Sequence, residues 1–79
     1  MYFVYILQSV NMPEKHYTGI TEDLTSRLAQ HNSGSVSHTS KYLPWRIETY
    51  IAFSDVSKAR SFEKYLKTGS GRAFAKKRL

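Results

Sequence analysis

The chain has 79 residues and no cysteine, and its hydrophobic and charged residues make up 41% and 23% of it. The length and composition predict one small globular domain, and the absence of cysteine excludes disulfides and thiolate metal sites. No apolar run is long enough to span a membrane, and the first residues lack the pattern of a secretory leader, so we expect a cytoplasmic protein with no membrane partner. Twelve Lys and Arg against six Asp and Glu give a net charge of +6, which favours an anionic partner such as nucleic acid over a basic protein without one.

The first part of the chain predicts two strands joined by a turn. Tyr2–Gln8 is almost entirely aromatic, aliphatic or β-branched, which is typical of a central strand covered on both faces. Asn11 and Pro13 favour a turn, and Lys15–Ile20 then predicts a second strand, antiparallel to the first. Gly19 within this strand indicates that another group approaches its backbone closely.

The middle of the chain predicts a helix, a loop and a third strand. Thr21 is expected to cap the helix, which runs to about Asn32 and ends at the following Ser-Gly pair. The polar segment Ser35–Leu43 has the composition of a loop. Trp45–Phe53 carries apolar residues at period two, which predicts a strand with one covered face.

The last third of the chain predicts two helices. Ser54-Asp55 is expected to cap a helix over Val56–Lys67, and Arg72–Arg78 is expected to form a short basic one. Gly69-Ser70-Gly71 lacks the spacing of a phosphate-binding loop, so we interpret it as the turn between these helices. The predicted fold class is α+β, with a small three-stranded antiparallel β-sheet flanked by helices.

Glu63 interrupts the apolar stripe of the helix predicted over Val56–Lys67. At about 100° per residue, it lies about 40° from Ala59, on the side that should face the core. A carboxylate there loses hydration unless a cation or a metal compensates for the loss. Two interpretations stay open, namely a salt bridge to an arginine and a carboxylate with a function.

Four other side chains could join Glu63 in a site. Arg27 and His31 are i, i+4 neighbours at the edge of the apolar stripe of the first predicted helix, while Tyr5 and Tyr17 lie in the first two predicted strands. Each has an ordinary alternative, as a solvated rim arginine, a hydrogen-bonded core histidine and plain sheet aromatics. Together they offer the groups that phosphodiester hydrolysis needs, because a carboxylate can hold a metal, a guanidinium matches phosphate, and a phenol or imidazole moves protons.

The order of these residues resembles a known nuclease family. Phe3-Val4-Tyr5, followed after 11 residues by Tyr17-Thr18-Gly19, is similar to the paired tripeptide signature of the GIY-YIG nuclease superfamily. Arg27, then His31-Asn32-Ser33-Gly34, then Glu63 continue that family's cassette along essentially the whole chain. The chain looks most like the short stand-alone bacterial members, whose entire length is the nuclease domain.

The resemblance implies a function and a role for each site residue. The reaction would be divalent-metal-dependent cleavage of a nucleic-acid phosphodiester bond, usually in DNA. Tyr5 and Tyr17 would activate the attacking water, Arg27 and His31 would lie at the phosphate, and Glu63 would hold the metal, Mg²⁺ or Mn²⁺. The fold that the resemblance implies is the three-stranded sheet with flanking helices.

Two alternatives have the same basic surface. No asparagine follows Glu63, whereas some family members carry one, which favours a non-catalytic nucleic-acid-binding module that keeps the nuclease fold. The second alternative is a module that cleaves only when a protein partner targets it to nucleic acid. In each case phosphate contacts would come from the basic side chains, with candidates Lys41, Arg46, Lys64, Lys67, Arg72, Lys76, Lys77 and Arg78.

Overall fold

Three strands form an antiparallel sheet in the order β2-β1-β3, and three helices cover it. The computed structural model describes the whole chain, Met1–Leu79. The elements in chain order are β1 (Tyr2–Ser9), β2 (His16–Thr21), α1 (Leu24–Asn32), a single 3₁₀ turn (Ser40–Tyr42), β3 (Trp45–Phe53), α2 (Val56–Leu66) and α3 (Gly69–Arg78). The α+β class and the antiparallel three-stranded sheet predicted from the sequence are confirmed.

The central strand β1 separates two apolar clusters. Val4 and Ile6 point to one face and pack with residues of α2, whereas Tyr5 and Leu7 point to the other face and pack with Trp45 and residues of α1. All four strand residues are buried, which confirms the prediction of a strand covered on both faces. Helix α1 therefore lies on the opposite side of the sheet from α2.

Strand β3 contains a β-bulge that changes which of its faces is covered. Ile47 pairs with Leu7 and Thr49 pairs with the neighbouring Ile6, so Glu48 is one residue extra in the ladder. Burial still alternates along the strand as the period-two pattern predicts. However, the first half of β3 joins the cluster on the α1 side and the end of β3 joins the cluster on the α2 side. The prediction of one covered face was wrong, because the extra residue reverses the side on which the following residues point.

Helix α1 begins later than its predicted cap. The carboxylate of Asp23 caps the helix by accepting from the backbone N–H of Ser26. Thr21, the predicted cap, still belongs to β2, where it pairs with Phe3, and its hydroxyl accepts from the backbone N–H of Asp23. Because Thr21 is still paired in the sheet, the helix begins two residues later than predicted, where the Asp23 carboxylate provides the capping oxygen.

The two last helices meet through a glycine. Asp55 caps α2 as predicted, while Thr68 caps α3 and accepts from the backbone N–H of Gly71. The segment interpreted as a turn, residues 69–71, is instead the first turn of α3. A Cβ on Gly71 would overlap the carbonyl oxygen of Tyr65, so the two helices touch backbone to backbone there. None of the helices combines the length and the apolar character that crossing a membrane requires.

Candidate active site

The two signature tripeptides meet through Tyr5 and Gly19. These residues are direct partners in the β1–β2 ladder, and the ring of Tyr5 lies across the backbone of Gly19. A Cβ on Gly19 would come within 2.6 Å of Tyr5 Cζ and would overlap the phenol oxygen. The close approach that the sequence predicted at Gly19 is therefore made by Tyr5, and only glycine leaves room for the ring.

The hydroxyl of Tyr5 joins two side chains of α1. It lies 3.0 Å from His31 Nε2, and it accepts from Arg27 Nε at 3.3 Å. Arg27 and His31 are four residues apart, so successive turns of α1 present both to the same phenol. The three side chains form one hydrogen-bonded unit beneath the helix.

His31 is fully enclosed. It is 0% exposed, and its second ring nitrogen, Nδ1, lies 2.8 Å from Thr39 Oγ1. The ring of Tyr17 packs against the imidazole with 4.9 Å between ring centroids. Burial first, and the positive charge of Arg27 second, lower the pKa of His31, so the imidazole is neutral at neutral pH. The two interpretations of His31, as a hydrogen-bonded core histidine and as a member of the site, therefore both apply, because His31 lies in the core and also bonds to Tyr5.

Tyr5 and Arg27 both stay protonated, but for different physical reasons. Tyr5 is 1% exposed, and this burial raises the pKa of its phenol against the opposing effect of Arg27, so the group is a neutral phenol at neutral pH. The hydrogen bond to Tyr5 is the largest of the influences that raise the pKa of Arg27, so the guanidinium stays cationic. Arg27 is half-buried and also donates to Gln30 Oε1 at 2.7 Å, at the surface end of its fork.

Tyr17 is the more accessible of the two phenols. It is half-buried, whereas Tyr5 is enclosed, and the two ring centroids are 6.4 Å apart. Its phenol also contributes to the raised pKa of Arg27, after that of Tyr5. The structure therefore brings Tyr5, Tyr17, Arg27 and His31 together, with Tyr17 and Arg27 nearer the surface.

Glu63 lies on α2 and makes none of these hydrogen bonds. Its carboxylate pairs with Lys67 Nζ at 3.1 Å, and its side chain is 18% exposed. The cation that compensates Glu63 is therefore a lysine one helical turn away, and not the arginine that one of the two sequence-based interpretations expected. Its negative charge is the smallest of the influences that raise the pKa of Tyr5, so the carboxylate acts on the phenol only through space.

A single carboxylate limits the kind of metal that could bind. Nowhere do three or more His, Asp or Glu side chains converge on a point, so an all-protein cage for Zn²⁺ or Ca²⁺ is not built here. Mg²⁺ commonly uses one or two carboxylates and completes its sphere with water and substrate phosphate oxygens. Glu63 fits that second kind of site, because its partner Lys67 is 51% exposed and its flexible side chain can turn away into solvent.

An open groove of about 1000 Å³ shares Tyr17 and Lys67 with the residues described above, whereas Tyr5, Arg27, His31 and Glu63 do not line it. The groove lies on the α2 side of the sheet, and Tyr17 lines it together with residues of α2 and α3. Its charged members are basic Lys15, Lys67, Arg72 and Lys76 and acidic Glu14 and Glu48. The positive charge that the sequence predicted for phosphate contacts is thus partly concentrated in one groove beside Tyr17 and the partner of Glu63.

Thr39 is the polar neighbour that the sequence analysis missed. It is 0% exposed, and its hydroxyl contacts His31 and donates to the carbonyl of Val36 at 3.3 Å. No periodicity marks it, because it lies in the polar segment between α1 and β3, which was interpreted only as a loop.

Comparisons with known proteins agree with these observations. A family model described as the GIY-YIG catalytic domain matches residues 1–78. The curated "UPF0213 protein YsiG" of Lactococcus lactis subsp. lactis is 39% identical over 67 residues, which are 84% of this chain and 62% of that protein. "UPF0213 protein" sequences of L. lactis subsp. cremoris and Lacticaseibacillus paracasei are 36% and 34% identical over 67 residues, with 66% and 73% of their own lengths covered. The chain thus spans roughly two thirds of the length of the relatives that it matches.

Proposed function

The chain belongs to the GIY-YIG catalytic-domain family, and from that premise we propose that it is an endonuclease that hydrolyses phosphodiester bonds of DNA with a divalent metal ion. The observation that supports this best is the hydrogen-bonded unit of Tyr5, Arg27 and His31 with Tyr17 packed against it. A buried polar unit of this kind costs desolvation and adds little to stability over an apolar core of the same shape, so a chemical role explains its presence better.

Arg27 is the proposed phosphate ligand. Its guanidinium has five N–H donors in a rigid fork, of which Tyr5 takes the Nε donor and Gln30 one at Nη1. The remaining donors are free to bind two phosphate oxygens side by side, as arginine does with phosphates. Tyr5, being enclosed, would hold the fork in place and not touch the substrate.

Tyr17 is the proposed contact to the attacking water. Of the two phenols it alone is partly open to solvent, and it lies beside the cationic Arg27. A phenol next to a fixed positive charge can orient a water molecule and take part in moving its proton. Tyr5 and His31 would support this arrangement from below as one hydrogen-bonded pair.

Glu63 is the proposed metal ligand. Its carboxylate would exchange Lys67 for Mg²⁺ or Mn²⁺, with water and phosphate oxygens as the other ligands. When bound, the metal would neutralise negative charge on the phosphate and on the leaving oxygen. The basic groove beside Tyr17 would hold further phosphates of the same strand.

A cleavage assay with site variants tests the proposal. Purified protein is incubated with plasmid, branched DNA, single-stranded DNA or RNA in Mg²⁺, Mn²⁺ or EDTA. We expect metal-dependent cleavage of DNA that falls roughly 100-fold or more in Arg27→Lys, since lysine lacks the fork that matches phosphate. Lys58→Gln, at an exposed position of α2 outside the groove, is the matched control and should cleave like the wild type.

Two other outcomes separate the alternatives. Salt-sensitive DNA binding without cleavage in any metal would contradict the proposal and support the non-catalytic binding module. Cleavage that needs a cellular extract but is lost in Arg27→Lys would support the proposed site and show that a protein partner supplies the targeting.

A further inference from the structure

We infer that Thr39 is a positioning residue: by accepting the Nδ1 proton of His31, it holds the imidazole in the tautomer whose Nε2 accepts the Tyr5 hydroxyl proton, while the Tyr5 oxygen accepts from Arg27. The functional part of this inference rests on the proposed role of Arg27. The structural part, the tautomer itself, follows from the hydrogen-bond donors and acceptors alone.

The direction of the hydrogen bonds is set at the cationic end. A guanidinium has no acceptor, so Arg27 Nε must donate to the Tyr5 oxygen, 3.3 Å away. The single proton of the Tyr5 hydroxyl then needs an acceptor of its own. The only other partner of that hydroxyl is His31 Nε2 at 3.0 Å, which must therefore carry a lone pair.

The remaining protons follow from this assignment. A neutral imidazole with a bare Nε2 carries its proton on Nδ1, and Thr39 Oγ1 lies 2.8 Å from Nδ1. The threonine hydroxyl accepts that proton and sends its own to the carbonyl of Val36 at 3.3 Å. All donors in the chain thus point the same way, from the cation of Arg27 to a backbone carbonyl.

The opposite tautomer would leave a buried proton without a partner. If Nε2 carried the proton, the Tyr5 oxygen would accept from both His31 and Arg27, and the phenol proton would have no acceptor. Water cannot supply one, because Tyr5, His31 and Thr39 are 1%, 0% and 0% exposed. A buried donor without a partner costs about 1–3 kcal/mol, which is enough to select one tautomer.

Thr39 is itself held in place for this role. Its backbone carbonyl accepts from the indole N–H of Trp45 at 2.8 Å, and its backbone N–H donates to Val36 at 3.1 Å. The hydroxyl therefore cannot drift away from Nδ1 without breaking contacts of a buried tryptophan. Through His31 and Tyr5, this fixed hydroxyl determines how the Arg27 fork is presented to solvent.

Nitrogen NMR of the histidine rings tests the inference without reference to cleavage. In the wild-type protein we expect His31 to show a protonated Nδ1 and an unprotonated Nε2. Thr39→Ser keeps the hydroxyl and should keep this tautomer. Thr39→Val has nearly the same shape but no acceptor, so it should shift His31 toward the Nε2-protonated form, and its DNA cleavage should fall roughly 10-fold or more, as loss of an orienting hydrogen bond usually does.

The results separate this inference from the proposed function. A wild-type His31 protonated on Nε2, or a Thr39→Val protein with unchanged tautomer and unchanged cleavage, would overturn the inference while leaving the nuclease proposal standing. The expected tautomers in all three proteins without any cleavage would leave the structural part intact and contradict the proposed function. If Thr39→Val fails to fold, the wild-type and Thr39→Ser spectra still decide the tautomer.

Discussion

Enclosure sets the charge of the polar side chains at the centre of the site. Tyr5 and His31 are both neutral at neutral pH, because burial disfavours the phenolate of one and the imidazolium of the other. Arg27 is the only charged member of their hydrogen-bonded unit. Chemistry at this site would therefore start from one fixed positive charge and two neutral groups.

This enclosure predicts a pH dependence of stability. The unfolded chain protonates His31 near about pH 6.5, whereas burial and Arg27 lower the pKa of the folded imidazole. Below about pH 6.5 the unfolded state binds more protons than the folded state, so the free energy of unfolding should decrease as the pH is lowered; above about pH 6.5 the contribution of neutral His31 is complete. As the pH is lowered below about 6.5, Tm should therefore drop in the wild type and drop less in His31→Gln.

His38 provides the matched control for that experiment. It is exposed and lies in the same chain segment, so His38→Gln should show the slope of the wild type. The same slope in His31→Gln as in the wild type would contradict the enclosed, neutral state of His31.

The sequence predicted most members of the site but not the contacts between them. The i, i+4 spacing of Arg27 and His31 predicted that they share a helix face, and Tyr5 and Tyr17 were predicted in adjacent strands. That the Tyr5 phenol lies over Gly19 depends on strand register, which the residues alone do not state. Thr39 could not be found, because its position depends on the path of a loop.

At the level of elements, the close contact between α2 and α3 depends on Gly71. A side chain there meets the backbone of Tyr65 and Leu66, which cannot turn aside as a side chain could. Gly71→Ala is expected to destabilise the protein by about 1–3 kcal/mol and to displace α3, as other overpacked contacts do. Urea unfolding monitored by far-UV circular dichroism measures the loss.

Gly69 is the control within the same helix. An added Cβ there meets nothing within 4 Å, so Gly69→Ala should be neutral or stabilising by about 0.5–1 kcal/mol through helix propensity. Equal unfolding free energies for the two alanine variants would contradict the backbone contact between α2 and α3.

Element boundaries show where sequence patterns stop being informative. All three strands and all three helices were predicted, because their apolar periods and capping residues are local signals. The bulge at Glu48 was not, since an extra residue in a ladder leaves the period-two burial pattern of β3 unchanged. The N-cap predicted at Thr21 lies at Asp23 instead, because Thr21 is still paired with Phe3 in β2.

At the level of the whole molecule, net charge predicted an anionic partner but not where it would lie. Arg72 and Lys76 are i, i+4 neighbours, so one side of α3 carries both into the groove. Lys67 reaches the same groove from the end of α2. Packing of the two helices, which follows from Gly71, gathers charges that are dispersed in the sequence.

The groove predicts a specific salt dependence of binding. In EDTA, the double variant Arg72→Gln/Lys76→Gln should bind duplex DNA more weakly, and its slope of log K against log salt should be shallower by roughly 1.8, from two lost phosphate contacts. Lys58→Gln/Arg60→Gln removes the same charge at exposed positions outside the groove and should leave the slope near that of the wild type. Fluorescence anisotropy over a salt series measures both. Equal slopes for the two double variants would mean that the groove does not hold phosphates.

The most direct test of the account is the single-turnover rate at which excess protein nicks supercoiled plasmid in Mg²⁺, for the wild type and Glu63→Gln. The variant should fold normally, because glutamine fills the same volume and the change removes only the ion pair with Lys67, whose own side chain is 51% exposed. We predict nicking by the wild type that EDTA abolishes, and a rate at least roughly 100-fold lower in the variant, since a metal contributes several kcal/mol of transition-state stabilisation. Equal rates in both proteins, or no nicking by a folded wild type, would contradict a nuclease site built around Glu63.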